Sequence, residues 1–149
     1  MGLGTNLGNR FEHLQHAVAA IFQQIGAITK TSAVYETPAI GFDGASFLNC
    51  VIEVQTFCSA HDVLSEISHI EKALGRQRSA TNGYESRPID IDILLYNDAI
   101  INEVHLQVPH PEIQHRKFVL QPLVDLIGEL VHPVFQKTLA TLLSETRDN

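Results

Sequence analysis

The sequence predicts an α+β fold: a ferredoxin-like, mostly antiparallel sheet with helices packed on its faces. Strand-like and helix-like segments follow one another in the order βαββαβ before a helical C-terminal stretch. The helical segments space their apolar residues with period 3.6, whereas the strands alternate with period two. A hydrophobic content of 44% in 149 residues supplies one core, so a single domain over residues 1–149 is expected.

The elements follow in order. Phe11, Leu14, Val18, Ile21, Phe22 and Ile25 fall on one face at helical spacing and predict a helix from Phe11 to Ile25. "AITKTSAVYET" is rich in β-branched and aromatic residues and predicts a strand ending near Thr37. Pro38, Gly41 and Gly44 interrupt regular structure in "PAIGFDGAS". "FLNCVIEVQTF" alternates, with Leu48, Cys50, Ile52 and Val54 on one face and Phe47, Asn49, Val51 and Glu53 on the other. Ser59 and Asp62 form an S-x-x-D helix start, and Val63, Ile67, Ile70 and Leu74 carry that helix to Gly75.

"GRQRSATNGYES" has no apolar period and reads as a long mobile loop. "SRPIDIDILLYND" then reads as a strand, with "ND" as a turn into a short strand at Ala99 to Ile101. "VPHPEIQHRKFVLQPLVDLIGEL" mixes prolines with short helical pieces, and a last helix is expected to begin near Lys137.

Composition removes several function classes. No apolar run approaches the ~20 residues needed to span a bilayer, and the N-terminus lacks signal-peptide character. Cys50 and Cys58 form neither a CxxC pair nor a ligand spacing, so a reduced, cytoplasmic setting is the expectation. A net charge of -7 argues against a general nucleic-acid surface. Four of the six arginines, Arg76, Arg78, Arg87 and Arg116, nevertheless gather between Gly75 and Phe118. That clustering on an acidic chain points to an anionic ligand.

The apolar strand "SRPIDIDILLYND" carries Asp90 and Asp92 in its middle. Strand alternation puts Ile89, Ile91, Ile93 and Leu95 on the core face, with both aspartates and Leu94 on the other. Two carboxylates about 6.5–7 Å apart along a strand can converge on one divalent cation or straddle a pair. Mg²⁺ takes hard oxygen ligands and keeps waters and phosphate oxygens in its remaining positions. D-x-D alone is a weak signal, and by itself it more often marks salt bridges on an exposed strand face. Arg87 beside the pair, with Arg76 and Arg78 at the far end of the same loop, adds phosphate-binding forks. Phosphoryl transfer needs that combination of positioning and charge neutralisation.

Together these segments resemble the 6-hydroxymethyl-7,8-dihydropterin pyrophosphokinase family of folate biosynthesis. The resemblance rests on four blocks kept in order: "GLGTNLGNR", "YETPAIGFDGASFLN", "EKALGRQR" leading to "RPIDIDILLY", and "VPHPEIQHRKFVLQPL". It implies a Mg²⁺-dependent diphosphotransferase that moves pyrophosphate from ATP, the co-substrate, to the pterin hydroxymethyl group and releases AMP. It further implies that Asp90 and Asp92 hold two Mg²⁺ ions, while Arg76 and Arg87 engage the phosphates during transfer. Glu71, Arg78, His110 and Arg116 fall on the ATP side, and Thr37, Pro38, Ile40, Phe47, Asn49 and Phe118 match the pterin pocket.

Residue chemistry agrees with the pocket assignment: Phe47 and Phe118 offer stacking faces, and Asn49 both donates and accepts. In mid-strand beside Phe47, that amide needs a partner. His110, within "PHP", has the alternative role of capping the following turn. His13, His16, His61 and His69 sit on predicted helices without paired ligands and read as solvated surface. Gly4, Asn6, Gly8 and Asn9 lack P-loop spacing and a following lysine; the resemblance implies that this segment is a tight strand-to-helix turn that shapes the pterin site.

Three departures from the family pattern stand out. Only Met1 precedes Gly2, where relatives carry more apolar residues, so a short first strand is expected. Some relatives close a loop tryptophan over the pterin; here Tyr84 takes that position. Basic residues that some relatives place before the "PH" motif have His105 as their nearest counterpart. A monomer is expected, with no nucleic-acid or membrane partner.

Two other readings compete. Another metal-dependent phosphoryl enzyme, a nucleotidyltransferase or hydrolase, shares the acid pair but has no need of a flat aromatic pocket. A non-catalytic RNA-binding module is opposed by the acidic balance and by the lack of paired aromatics on a basic sheet.

Overall fold

The computed structural model describes residues 1–38, 46–75, 77–78, 85–86 and 88–148, with the backbone alone at 77, 78, 85 and 86. In chain order the elements are β1 (Gly2–Thr5), α1 (Arg10–Gln24), β2 (Gly26–Thr31), β3 (Tyr35–Thr37), β4 (Phe47–Thr56) and α2 (Ala60–Ala73). Then come β5 (Gln77–Arg78), β6 (Glu85–Ser86), β7 (Asp90–Asp92), β8 (Ile101–Asn102), β9 (Gln107–Val108), a 3₁₀ turn (Ile113–His115), α3 (Lys117–Ile127) and α4 (Leu139–Glu145).

The central sheet is antiparallel in the order β2-β4-β1-β7, with β3 also paired to β4. Since β1 and β2 both pair antiparallel with β4 between them, they run parallel to each other, as a split βαβ unit requires. This is the ferredoxin-like arrangement expected from the element order. The first strand is short, but Met1 adds one more rung: its carbonyl accepts the Ile52 N–H at 2.9 Å and its amino group donates to the Ile52 carbonyl at 2.9 Å.

β2 and β3 replace the single strand expected up to Thr37. The break falls at the buried Ser32, whose N–H donates to the Val51 carbonyl at 2.9 Å. Its hydroxyl accepts the Val51 N–H at 2.8 Å, so a side chain takes over one ladder bond and the backbone is free to turn.

α2 starts on its expected cap, Ser59, and α1 starts on Asn9. Asn9 accepts the Glu12 N–H at 3.1 Å, and Ser59 accepts the Asp62 N–H at 3.1 Å. α2 buries Val63, Ile67 and Ile70, as its stripe predicts. α1 is turned from its expected face: Leu14, Ala17 and Ile21 are buried, whereas Phe11 and Phe22 are 59% and 63% exposed. The small Ala17 allows close approach to the sheet, and that rotation carries both phenylalanines to the rim. His13, expected on the surface, is half-buried, while His16, His61 and His69 are exposed.

Both faces of the sheet are covered. One core joins Leu3, Leu48, Cys50, Ile52, Ile89, Ile91 and Ile93 to the two long helices. Burying each such side chain contributes about 1.5–3 kcal/mol. A second core joins Val51 and Leu94 to Ile113, Leu120, Leu123, Leu139 and Leu142 beneath α3 and α4. Leu94, which shares the aspartates' face, is therefore buried. Leu95 packs with this second core and not with the isoleucine face, because the regular strand stops at Asp92.

The segment expected to be wholly irregular contains two paired rungs, Gln77↔Ser86 and Arg78↔Glu85. After the turn at Asn97 (φ 51°), the short strand is Ile101–Asn102 and pairs with Gln107–Val108, slightly later than expected. α4 begins at Leu139, capped by Thr138, one residue after the cap and close to the expected position.

Candidate active site

Two rungs of the sheet set the site. In one, Tyr35, Asn49, Gly4 and Asp90 stand side by side; in the next but one, Val51, Gly2 and Asp92 do so. Residues opposite each other in a ladder share a face. Asn49 on β4 and Asp90 on β7 thus flank Gly4, about 9–10 Å apart across the strand between them. Gly2 and Gly4 carry no side chain of their own; the Leu94 side chain packs over Gly2, and the Asn49 amide reaches over Gly4. Above them lies a cleft of about 750 Å³, lined among others by Thr37, Pro38, Phe47, Asn49, Asp90, Asp92 and Phe118.

On one side, Asn49 is 9% exposed and its Nδ2 donates to Thr37 Oγ1 at 3.1 Å. Its Oδ1 lies over Gly4: a Cβ there would sit 3.0 Å away. Phe47 is half-buried opposite Thr37, while Phe118, the second residue of α3, is 37% exposed and keeps a face free for a ligand. Arg10 ties this wall together, donating from Nη1 to the Ser46 carbonyl at 2.8 Å and to Glu36 Oε2 at 3.1 Å. Hydrogen bonds from Ser46 and Arg10 hold the Glu36 carboxyl below its usual range.

On the other side, Asp90 is half-exposed and Asp92 exposed, both on the cleft face of β7. The donor set is hard oxygen only. Among the described residues no group of three or more metal-ligating side chains gathers. A cation at this pair would draw its remaining ligands from water and from a phosphate-bearing substrate, the coordination habit of Mg²⁺. The residues fit that ion.

Three other sequence-predicted residues, Glu71, His110 and Arg116, do not line this cleft and are placed as follows. Glu71 is buried and its Oε2 accepts the Ile91 N–H at 3.0 Å, so it grips the middle of β7. His110 donates its N–H to the Leu94 carbonyl at 2.8 Å, and its Nδ1 accepts the Glu112 N–H at 3.1 Å, the turn-capping alternative. Arg116 precedes α3 and lies 3.6 Å from Glu112 through Nε. Arg78 lies in β5 opposite Glu85. Arg76, Arg87, Ile40 and Tyr84 lie outside the described residues.

Several cleft residues went unremarked in the sequence. Tyr35, Lys117, Gln121 and Asp148 all line it. Asp148 Oδ2 accepts the Lys117 N–H at 2.8 Å, capping α3 from the C-terminal tail. Tyr35 donates to Asp125, and that bond raises the phenol pKa. Lys117 was legible as a cation between Arg116 and Phe118; Asp148 and Tyr35 had no local signal. Cys50 also borders the cleft, and burial pushes its thiol up to about 11, so it stays protonated at neutral pH and is no nucleophile.

Residues 1–128 match the family described as 7,8-dihydro-6-hydroxymethylpterin-pyrophosphokinase (HPPK). The chain is 37% identical over 140 residues to the 2-amino-4-hydroxy-6-hydroxymethyldihydropteridine pyrophosphokinase of Aquifex aeolicus, covering 93% of this chain and 86% of that protein. It is 40% identical over 132 residues to the enzyme of the same name from Bacillus subtilis, covering 87% and 78%. Against the folic acid synthesis protein fol1 of Pneumocystis carinii it is 39% identical over 150 residues, covering all of this chain but only 20% of that one. A structure of Plasmodium falciparum HPPK-DHPS shares the fold with a TM-score of 0.78 at 21% identity, covering 97% of this chain and 42% of that one.

Proposed function

The chain belongs to the 7,8-dihydro-6-hydroxymethylpterin-pyrophosphokinase family, and from that premise we propose that it transfers the β,γ-pyrophosphate of ATP to the hydroxymethyl oxygen of 6-hydroxymethyl-7,8-dihydropterin. The products are AMP and the pterin diphosphate, a step of folate biosynthesis. One observation carries the assignment of roles: Asn49 and the acid pair open onto one cleft from the two sides of a strand that places glycines between them. A flat heteroaromatic ring suits that cleft, with its edge on Asn49 and Thr37 and its faces against Phe47 and Phe118. Its hydroxymethyl arm then points towards Asp90 and Asp92.

In this reading Asp90 and Asp92 hold two Mg²⁺ ions. When bound, Mg²⁺ neutralises phosphate charge and favours deprotonation of the attacking hydroxyl. Arg76 and Arg87 balance charge on the transferred group, and Glu71, Arg78, His110 and Arg116 serve the ATP side. Ile40 and Tyr84 complete the pterin pocket. The substrate hydroxyl attacks in line, and no covalent enzyme intermediate is required; the protonated Cys50 thiol agrees with that.

A single-domain monomer in the cytoplasm goes with this reading, without nucleic-acid or membrane partners. The acidic charge supports the part of it that concerns nucleic acid. The deciding experiment is chromatography of ATP turnover in Mg²⁺, with and without the pterin. AMP that appears only with the pterin, matched by a pterin diphosphate, supports the reading. ADP, or turnover indifferent to the pterin, overturns it.

A further inference from the structure

The aspartate-bearing strand is three residues long and lies at the edge of the sheet, so little of its own ladder fixes it. It pairs with β1 only through Gly2↔Asp92, Leu3↔Ile91 and Gly4↔Asp90. Two of those three partners are glycines, which add no side-chain contact to hold the register. A slip of one residue would turn both aspartates into the isoleucine core and expose Ile91. Something outside the ladder must set the strand.

Beyond Gly4↔Asp90 the ladder stops, and there the Thr5 hydroxyl donates to the Pro88 carbonyl. Thr5 is 1% exposed, so this hydroxyl has no access to water as an alternative partner. The bond fixes the chain two residues before Asp90. On the far side, Glu71 holds the Ile91 N–H. Gly75, where the preceding segment leaves α2 at φ +105°, also meets Pro88: a Cβ on it would lie 3.5 Å from Pro88 Cγ. Pro88 is thus the point at which β1, the end of α2 and the entry to β7 converge.

We propose that Thr5 is a positioning residue for the transfer reaction, acting through Pro88 to set the register and depth of Asp90 and Asp92. This rests on the pyrophosphokinase reading, because it assigns the consequence to metal-dependent transfer. Thr5 itself touches no substrate. Its hydroxyl holds the Pro88 carbonyl just beyond the last paired residue of the ladder, two residues before the acidic pair begins.

The test compares Thr5→Val, which keeps shape and loses the donor, with Thr5→Ser, which keeps the donor. In Thr5→Val, kcat is expected to fall about 10- to 100-fold and the Mg²⁺ concentration for half-activity to rise, with KM for the pterin little changed. Thr5→Ser restores activity to near the parent. Hydrogen exchange across residues 88–95 quickens in Thr5→Val only. A folded Thr5→Val variant with parental kcat and Mg²⁺ dependence overturns the proposal. If Thr5→Val does not fold, Thr5→Cys, a weaker donor of similar size, must fall between Ser and the parent on one side and inactivity on the other; parental activity there overturns it. A parent that makes no AMP sinks the pyrophosphokinase reading instead, while faster exchange in Thr5→Val would still locate the register control at Thr5.

Discussion

Asn49 and Asp90 both pair with Gly4, one from each side, and both face the same cleft. A ring-recognising amide and a metal-binding acid are therefore held at a fixed separation by the backbone of one strand, without any side chain of that strand between them. That relation explains why the strand contributes glycines where a sheet interior would ordinarily favour β-branched residues.

It follows that Gly4→Ala should damage pterin binding selectively. The new Cβ would lie 3.0 Å from Asn49 Oδ1, so the amide must give way and its bond to Thr37 Oγ1 must shift. KM for the pterin is expected to rise about tenfold, equivalent to about 1.4 kcal/mol, with binding of a non-hydrolysable ATP analogue unaltered. Calorimetric titration with each ligand separately checks this; equal weakening of both would refute the local explanation.

Asp90→Asn and Asp92→Asn keep the shape of the pair and remove one charge each. Transfer is expected to fall about 100- to 1,000-fold in either variant, because charge neutralisation at the phosphates is the main work of the site. Thermal stability should change little in Asp92→Asn, whose side chain is exposed. Single-turnover AMP formation and thermal melting, run on the same preparations, read both effects.

The rotation of α1 makes a third prediction. Ala17 is fully buried, so Ala17→Leu should overpack the interface with the sheet and cost about 1–3 kcal/mol. Phe11→Ala and Phe22→Ala remove residues that stand largely in solvent and should each change stability by about 0.5 kcal/mol or less. Urea denaturation of the three variants distinguishes this face from the one with both phenylalanines inside.

Much of this was legible in the sequence because it is local. The S-x-x-D start at Ser59, the stripe through Ile70 and the alternation of Phe47, Asn49 and Val51 each depend on neighbours a few residues away. Alternation told that Asp90, Asp92 and Leu94 share a face, but not that helices cover the end of it that holds Leu94. That needed the packing of Leu120, Leu123 and Leu139 from later in the chain. Gly4 read as part of a turn, since a glycine's meaning in a sheet depends on which strands flank it. The bonds from Ser32 to Val51, Glu71 to Ile91 and Asp148 to Lys117 join distant segments and leave no periodic trace.

His132 supplies a prediction about pH. It is 2% exposed; its Nδ1 accepts the Val134 and Phe135 N–H groups at 3.2 and 3.3 Å, and its ring lies 4.6 Å from that of Phe135. Nδ1 is thus an acceptor, which makes Nε2 the protonated nitrogen of a neutral ring, and Nε2 is buried without a partner among the described residues. Burial lowers the folded-state pKa below the ordinary 6.5. The unfolded chain therefore takes up a proton first as pH falls, so His132's contribution to stability is intact above 6.5 and is lost progressively below it, down to the folded-state pKa. His132→Asn retains a carbonyl acceptor for the two N–H groups but cannot titrate. Melting temperatures measured from about pH 8 to about pH 5 should fall less steeply below 6.5 in the variant than in the parent, after the two curves are aligned at the alkaline end. Parallel curves would mean that His132 binds its proton equally in both states, and that the lone Nε2 finds a partner when charged.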